Sequence, residues 1–195
     1  KEAAESHART IQELQKRTDA TLRAALALRR AGRLAEMKSF AAQTETACFE
    51  VIREVPHRPE PYYELGRMYR AAMFDGLALK YQEMALERDP EFIDAIYERV
   101  ILNGRRYRER VRELIADAWM EEGRRLLDRG GGRVTGGSSI PIPSRSELGS
   151  RDPLAMRIRE TVEKDVTALA DSSTIEGARL ACSRGLLAWI RNKKE

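Results

Sequence analysis

The sequence predicts an all-α protein, and three observations support that fold class. Ala, Leu, Glu and Arg, which are strong helix formers, dominate most of the chain. Glycine and proline are confined to a few places, where they mark the ends of segments. Between those places apolar residues recur at helical spacing. With 195 residues, 42% of them hydrophobic and 34% charged, the chain suits a soluble helical protein of one or two domains.

The charge balance argues against a nucleic-acid partner, and the length of the apolar runs argues against a membrane partner. The 35 Lys and Arg residues exceed the 31 Asp and Glu residues by only +4, which indicates mixed, solvated helix faces rather than a nucleic-acid footprint. No apolar run reaches the roughly 18 residues that a transmembrane helix needs. We therefore expect a cytoplasmic protein with no nucleic-acid and no membrane partner.

The chain begins KEAAESHART, with neither a signal segment nor an initiating Met, so we expect a fragment or a processed chain. Two distant cysteines, Cys48 and Cys182, lie in helical patterns and are predicted to be buried thiols in a reducing compartment. The two histidines, His7 and His57, stand on separate segments. Because no Cys/His/Asp spacing converges, we predict no metal site.

A long helix pair is predicted over residues 1–56. Its first helix covers 2–31 and stops at Ala31-Gly32, since glycine adopts the left-handed conformation without penalty. Its second helix covers 34–55 and ends before Pro56, whose ring cannot continue the hydrogen-bond ladder.

The stretch 59–90 has the pattern of one helix–turn–helix unit, with helices predicted over 59–72 and 76–88. Small residues stand where two helices would touch, and large residues would fill the space beside them. The small residues are Gly66, Ala78 and Ala85, and the large ones are Leu65, Tyr69, Leu79 and Leu86. We therefore interpret the aromatic residues as packing rather than as a cofactor box.

This stretch resembles the tetratricopeptide repeat, because Tyr62, Leu65-Gly66, Tyr69, Ala78, Ala85 and Pro90 follow its order of landmarks. Gln82 departs from the second-helix aromatic position, with Tyr81 beside it. The resemblance implies an α-solenoid of antiparallel helix pairs, in which the first helices of successive repeats line a concave groove. It implies these groove residues: Glu60, Tyr63, Arg67, Arg70, Asp94, Tyr97, Ile101 and Arg105.

Arginine and tyrosine on such a groove suit an extended peptide of acidic or aromatic character. The alternative, that these are ordinary exposed residues, stays open. Repeats that clamp a chaperone's C-terminal carboxylates use Lys and Asn at these positions. This sequence has Tyr63, Arg67, Asp94 and Glu98 there, so we do not expect that ligand.

A degenerate repeat is predicted over 91–129, with a helix start at Asp89-Pro90-Glu91 and an interruption at Asn103-Gly104. The Gly-, Ser- and Pro-rich residues 130–151 form no phosphate loop and are predicted to be a long loop or linker. Two other interpretations of the loop remain: a functional flap, or a regulated serine cluster. The serines are Ser144, Ser146 and Ser150.

A C-terminal helix pair, which we expect to be truncated within a repeat, is predicted over 152–195. Asp152-Pro153 restarts the helix as a cap followed by proline, and Ser173 to Glu176 forms a capping box before a last helix at 174–193. Gly185 interrupts good helix formers at a cost of about 1 kcal/mol, which predicts a close-packing role. We treat 1–195 as one helical-repeat domain made of 1–56, 57–90, 91–129, the 130–151 loop and 152–195.

No catalytic constellation is found: there is no nucleophile elbow, no paired histidine and no HExxH. We therefore expect no enzyme and no cofactor. The chain is also similar to repeat regions appended to some bacterial eukaryote-like serine/threonine kinases. The likeness lies in the order of four segments: Tyr-Tyr-Glu-Leu-Gly, Asp-Pro-Glu-Phe, Tyr-Glu-Arg and Arg-Arg-Tyr-Arg. That likeness implies the scaffold or sensor region of a larger signalling protein.

Two functional hypotheses follow from the sequence. The first is a module that binds a peptide or protein partner through the groove. The second is a structural or oligomerisation module that docks to another copy or domain through the long N-terminal helix or the last helix, where Trp189 lies. A homo-oligomer is therefore kept open.

Overall fold

The computed structural model describes residues 2–128, 144–172 and 177–191, and within these ranges every regular element is an α-helix. The prediction of an all-α protein is confirmed. The arrangement of the helices as a repeat solenoid stays a prediction. The helices are α1 (Glu2–Arg30), α2 (Leu34–Glu54), α3 (Glu60–Ala71), α4 (Asp75–Arg88), α5 (Ile93–Asp128), α6 (Arg145–Arg151), α7 (Pro153–Asp171) and α8 (Gly177–Arg191).

The first two helix ends lie where the sequence predicts them. Gly32 has a φ of 73°, the left-handed conformation expected after a helix C-terminus. The amide of Arg33 donates to the carbonyl oxygen of Leu28 at 2.8 Å, which closes the turn. α2 ends at Glu54, and the amide of Val55 makes its last bond before Pro56, to Val51 at 2.9 Å.

Contacts divide the chain into two compact units, a first unit of Lys1–Leu102 and a second unit of Asn103–Glu195. In the first unit α1 packs on α2 and α3, α2 packs on α3, and α3 packs on α4. The main core lies where α1, α2 and α3 meet. It contains Ile11, Leu14, Ala47, Cys48, Val51, Val55, Leu65 and Met68. The prediction that Cys48 is a buried thiol is confirmed.

The α3–α4 pair packs through small residues, as the sequence predicts. Ala78 and Ala85 are fully buried. A Cβ added at Gly66 would lie 2.8 Å from Cδ of Gln82 and 3.1 Å from the carbonyl oxygen of Ala78, so only glycine permits this approach. The amide of Gln82 is itself fully buried, and its Nε2 donates to the carbonyl oxygen of Tyr63 at 3.3 Å.

Two predictions about α5 are wrong. The helix begins at Ile93, not at Asp89, because the Asp89 carboxylate accepts the amide of Glu91 at 3.0 Å and caps a turn before the helix. The helix also continues through Asn103-Gly104 without interruption. A Cβ at Gly104 would lie 2.7 Å from Cδ1 and 2.9 Å from Cγ of Leu186, so tertiary packing compensates for the low helix propensity of glycine.

In the second unit two capped helix starts follow one another. Ser144 and Glu147 form a capping box at α6, and the Asp152 side chain accepts the amide of Ala155 at 2.8 Å to start α7. The predicted restart at Asp152-Pro153 is confirmed. Of the predicted 130–151 loop, residues 145–151 form a helix, and residues 130–143 lie outside the described ranges.

The α7–α8 pair of the second unit corrects two further predictions. Gly185 is exposed and has no neighbouring atom within 4 Å of a built Cβ, so its expected close-packing role is wrong. Cys182, predicted to be buried, is exposed. α7 packs on α6 and α8, and its buried residues include the branched Ile158, Val162, Val166 and Leu169. The predicted capping box at 173–176 lies outside the described residues.

Candidate peptide-binding surface

The structure places seven of the eight predicted groove residues in the first unit. Four of them follow helical spacing along one face of α3, and three follow it along the start of α5. The α3 residues are Glu60, Tyr63, Arg67 and Arg70, and the α5 residues are Asp94, Tyr97 and Ile101. Arg105 belongs to the second unit. All eight side chains are partly exposed, which is consistent with a surface that a partner could reach.

The ring of Tyr63 is held by its neighbours. It meets the ring of Phe92 edge-on, with centroids 5.3 Å apart and an interplanar angle of 75°. The guanidinium carbon of Arg67 lies 5.6 Å from the Tyr63 centroid. Burial, followed by the nearby Asp94 carboxylate, holds the pKa of Tyr63 well above its usual range. Tyr63 is therefore a neutral, pre-positioned phenol at physiological pH.

Arg67 connects α3 to α1. Its Nη1 donates to Oε1 and Oε2 of Glu64 at 3.2 and 3.0 Å, and its Nη2 lies 2.8 Å from Oδ1 of Asp19. Burial disfavours the charge of the guanidinium, but the Glu64 and Asp19 carboxylates outweigh it and raise the pKa of Arg67. We call these three side chains the Asp19–Arg67–Glu64 triad.

Glu64 is a site residue that no pattern in the sequence singles out. The residue is only 1% exposed. Burial raises the pKa of its carboxyl, Arg67 lowers this pKa and Asp19 raises it, and the net value is about 7. The spacing of Glu64 to Arg67, three positions apart on a predicted helix, was the available signal, but spacing alone does not show that a carboxylate is buried.

Arg70 and Glu60 also have partners within the protein. Nε of Arg70 lies 3.0 Å from Oε2 of Glu98, a buried carboxylate on α5. Glu60 accepts hydrogen bonds from the guanidinium of Arg58, one of them at 3.1 Å. The guanidinium groups on this surface therefore already contact carboxylates of the chain, and an acidic ligand has to compete with them.

Neither a metal site nor a membrane-spanning helix is found among the described residues. Within residues 2–128, 144–172 and 177–191, no group of three or more His, Cys, Asp and Glu side chains could hold a metal ion. In the same ranges no helix combines the length and the apolar character needed to cross a membrane. Comparison of the chain with protein-family models, with curated proteins and with solved structures found no match.

Proposed function

We propose that the chain is a non-catalytic interaction module that binds an extended peptide or protein segment on the surface formed by α3 and the start of α5. The supporting observation is the pre-positioned ring of Tyr63 on the same helix face as Arg67 and Arg70, all partly exposed. From the likeness to kinase-appended repeats, we propose further that the chain is the scaffold or sensor part of a larger signalling protein.

Charge narrows the class of ligand within this proposal. Each of the two arginines on α3 contacts a buried carboxylate, Arg67 with Glu64 and Arg70 with Glu98. A peptide carboxylate would have to displace a buried anion, which then loses its counterion. Aromatic and apolar ligand side chains face no such competition at Tyr63, so we favour them over acidic ones.

The test is a selection of peptides from a random display library, followed by titration of the selected peptides. The groove variant is Tyr63→Ala with Tyr97→Ala, and Arg67 is kept because truncating it would leave Glu64 buried without its counterion. The matched control is Lys80→Ala, an exposed residue of α4 in the same unit. We expect at least tenfold weaker binding by the groove variant and unchanged binding by the control. Equal affinity of both variants, or no peptide selected by the wild type, contradicts the proposal.

A docking module is the second candidate, and the observation that favours it lies on α5 rather than on the terminal helices named from the sequence. On α5 in the second unit, Trp119 is 51% exposed and Met120 is 63% exposed. Trp189 of the last helix is instead partly buried, with its ring edge-on to Tyr107 at 6.0 Å. The solution mass of the wild type and of Met120→Glu, measured by light scattering, separates the two candidates. A dimer that Met120→Glu dissociates favours docking, and a wild-type monomer excludes docking to another copy.

A further inference from the structure

The Glu64 carboxylate lies in the first unit at a meeting of α1, α2 and α3, beneath the surface that carries Tyr63. It is withdrawn from water, with 1% of the residue exposed. Arg67, one turn along the same helix, is its ionic partner at 3.0 Å, and the same guanidinium reaches Asp19 of α1 at 2.8 Å. One cation is thus shared between a buried anion of α3 and a half-exposed anion of α1.

Other charged and titratable groups face Glu64 from the surrounding helices. α1 contributes Asp19, α2 contributes Cys48, α3 contributes Tyr63 and Arg67, and α5 contributes Asp94. Arg17 and Glu45 act on the Cys48 thiol, and Glu98, which pairs with Arg70, acts on Tyr63. From α4 comes the neutral amide of Gln82, bonded to the backbone of Tyr63. Two carboxylates, Asp19 and Asp94, therefore act on Glu64 together with one guanidinium, that of Arg67, so a proton on Glu64 reduces a local excess of negative charge.

We propose that the Asp19–Arg67–Glu64 triad is a pH-sensitive clasp that holds α1 on α3. When Glu64 is ionised, Arg67 divides its hydrogen bonds between Glu64 and Asp19, and a charge stays buried between the helices. When Glu64 is protonated, its buried carboxyl is neutral, and Arg67 pairs with Asp19 alone. Protonation of Glu64 therefore tightens the packing of α1 on α3, and ionisation loosens it.

The sign of the pH dependence follows from linkage. Burial raises the pKa of Glu64 to about 7 in the folded chain, from 4.5 for the unperturbed group. The folded state therefore binds the proton more tightly than the unfolded state. The stabilisation is complete below pH 4.5 and is lost as the pH rises through 7. Between pH 6 and 8 the equilibrium constant for docking of α1 should fall on the order of tenfold.

Hydrogen exchange of the full chain at pH 6 and pH 8, read by mass spectrometry and corrected for intrinsic exchange rates, tests the clasp. In the wild type we expect amides of α1 to open on the order of tenfold more often at pH 8. Glu64→Gln mimics the protonated side chain, so its α1 amides should keep the protection of the wild type at pH 6 at both pH values. The control Glu83→Gln, an exposed acid of α4, should behave as the wild type.

Three results would overturn the clasp: a wild type without pH dependence, a Glu64→Gln variant that keeps it, or amides of α4 that open in parallel with those of α1. A second variant covers the case in which Glu64→Gln does not fold. Asp19→Asn changes a half-exposed residue and removes the α1 partner of Arg67. We expect its α1 amides at pH 6 to lose protection toward the wild-type level at pH 8. Unchanged protection would also refute the proposal.

Discussion

Replacing Gly66 by alanine tests the packing of the α3–α4 pair. In an open helical position this change stabilises by about 1 kcal/mol. At Gly66 the new Cβ would lie 2.8 Å from Cδ of Gln82, closer still to its Nε2, and 3.1 Å from the carbonyl oxygen of Ala78. Gln82 is fully buried, so its amide cannot move into solvent. Overpacking of this kind costs about 1–3 kcal/mol, which offsets that gain, so we expect a net destabilisation of up to about 2 kcal/mol.

The assay is urea denaturation followed by far-ultraviolet circular dichroism, with a double-mutant cycle. Gly76→Ala in α4 is the matched control, because no atom lies within 4 Å of its built Cβ, and it should be neutral or slightly stabilising. In a Gln82→Ala background, Gly66→Ala should destabilise much less, since the buried amide is gone and only the contact with the Ala78 carbonyl oxygen remains. A Gly66→Ala variant as stable as Gly76→Ala, or a coupling energy below about 0.5 kcal/mol, would refute the reasoning.

Three further predictions concern single groups. Gly104→Ala should destabilise the second unit by about 1–3 kcal/mol because its Cβ meets Leu186. Gly185→Ala, whose Cβ has no atom within 4 Å, should not destabilise it, and thermal unfolding measures the stability of both variants. Asp152→Ala should lose both the α7 cap and the ion pair with Arg110, about 1 kcal/mol more than Asp152→Asn, which keeps the cap acceptor. Since Arg110 holds the pKa of Asp152 below its usual range, the ion-pair contribution is present above about pH 4 and lost on acidification, and the Asn variant should lack that loss. Burial raises the pKa of Cys48 to about 12, so a thiol reagent at pH 8 should modify Cys182 alone in the native chain and both thiols after denaturation; rapid modification of two native thiols would contradict this.

Local chemistry made most helix positions predictable. Gly32 and Pro56 end helices through the conformation of their own turns, and the Asp152-Pro153 cap needs contacts only a few residues along the chain. Asp89 shows the limit of this reasoning. An acid before proline can cap a helix or a turn, and here its carboxylate accepts the amide of Glu91, so α5 begins later.

Glycine positions were less predictable, because a close approach depends on the partner helix. Gly66 could be recognised from the small residues spaced along α4. Gly104 and Gly185 look alike in the sequence, yet one contacts Leu186 and the other has open space. Which of two helical glycines is packed is decided by residues distant in the chain, and no local pattern contains that information.

The candidate site shows the same division. Helical spacing places Tyr63, Arg67 and Arg70 on one face of α3, and the sequence by itself determined that. Only the tertiary structure decided that Arg67 is shared between Glu64 and Asp19, and that Glu64 is withdrawn from water. The physical reason is that the sequence specifies charges, while desolvation of a charge and its choice of counterion depend on which helices pack over it.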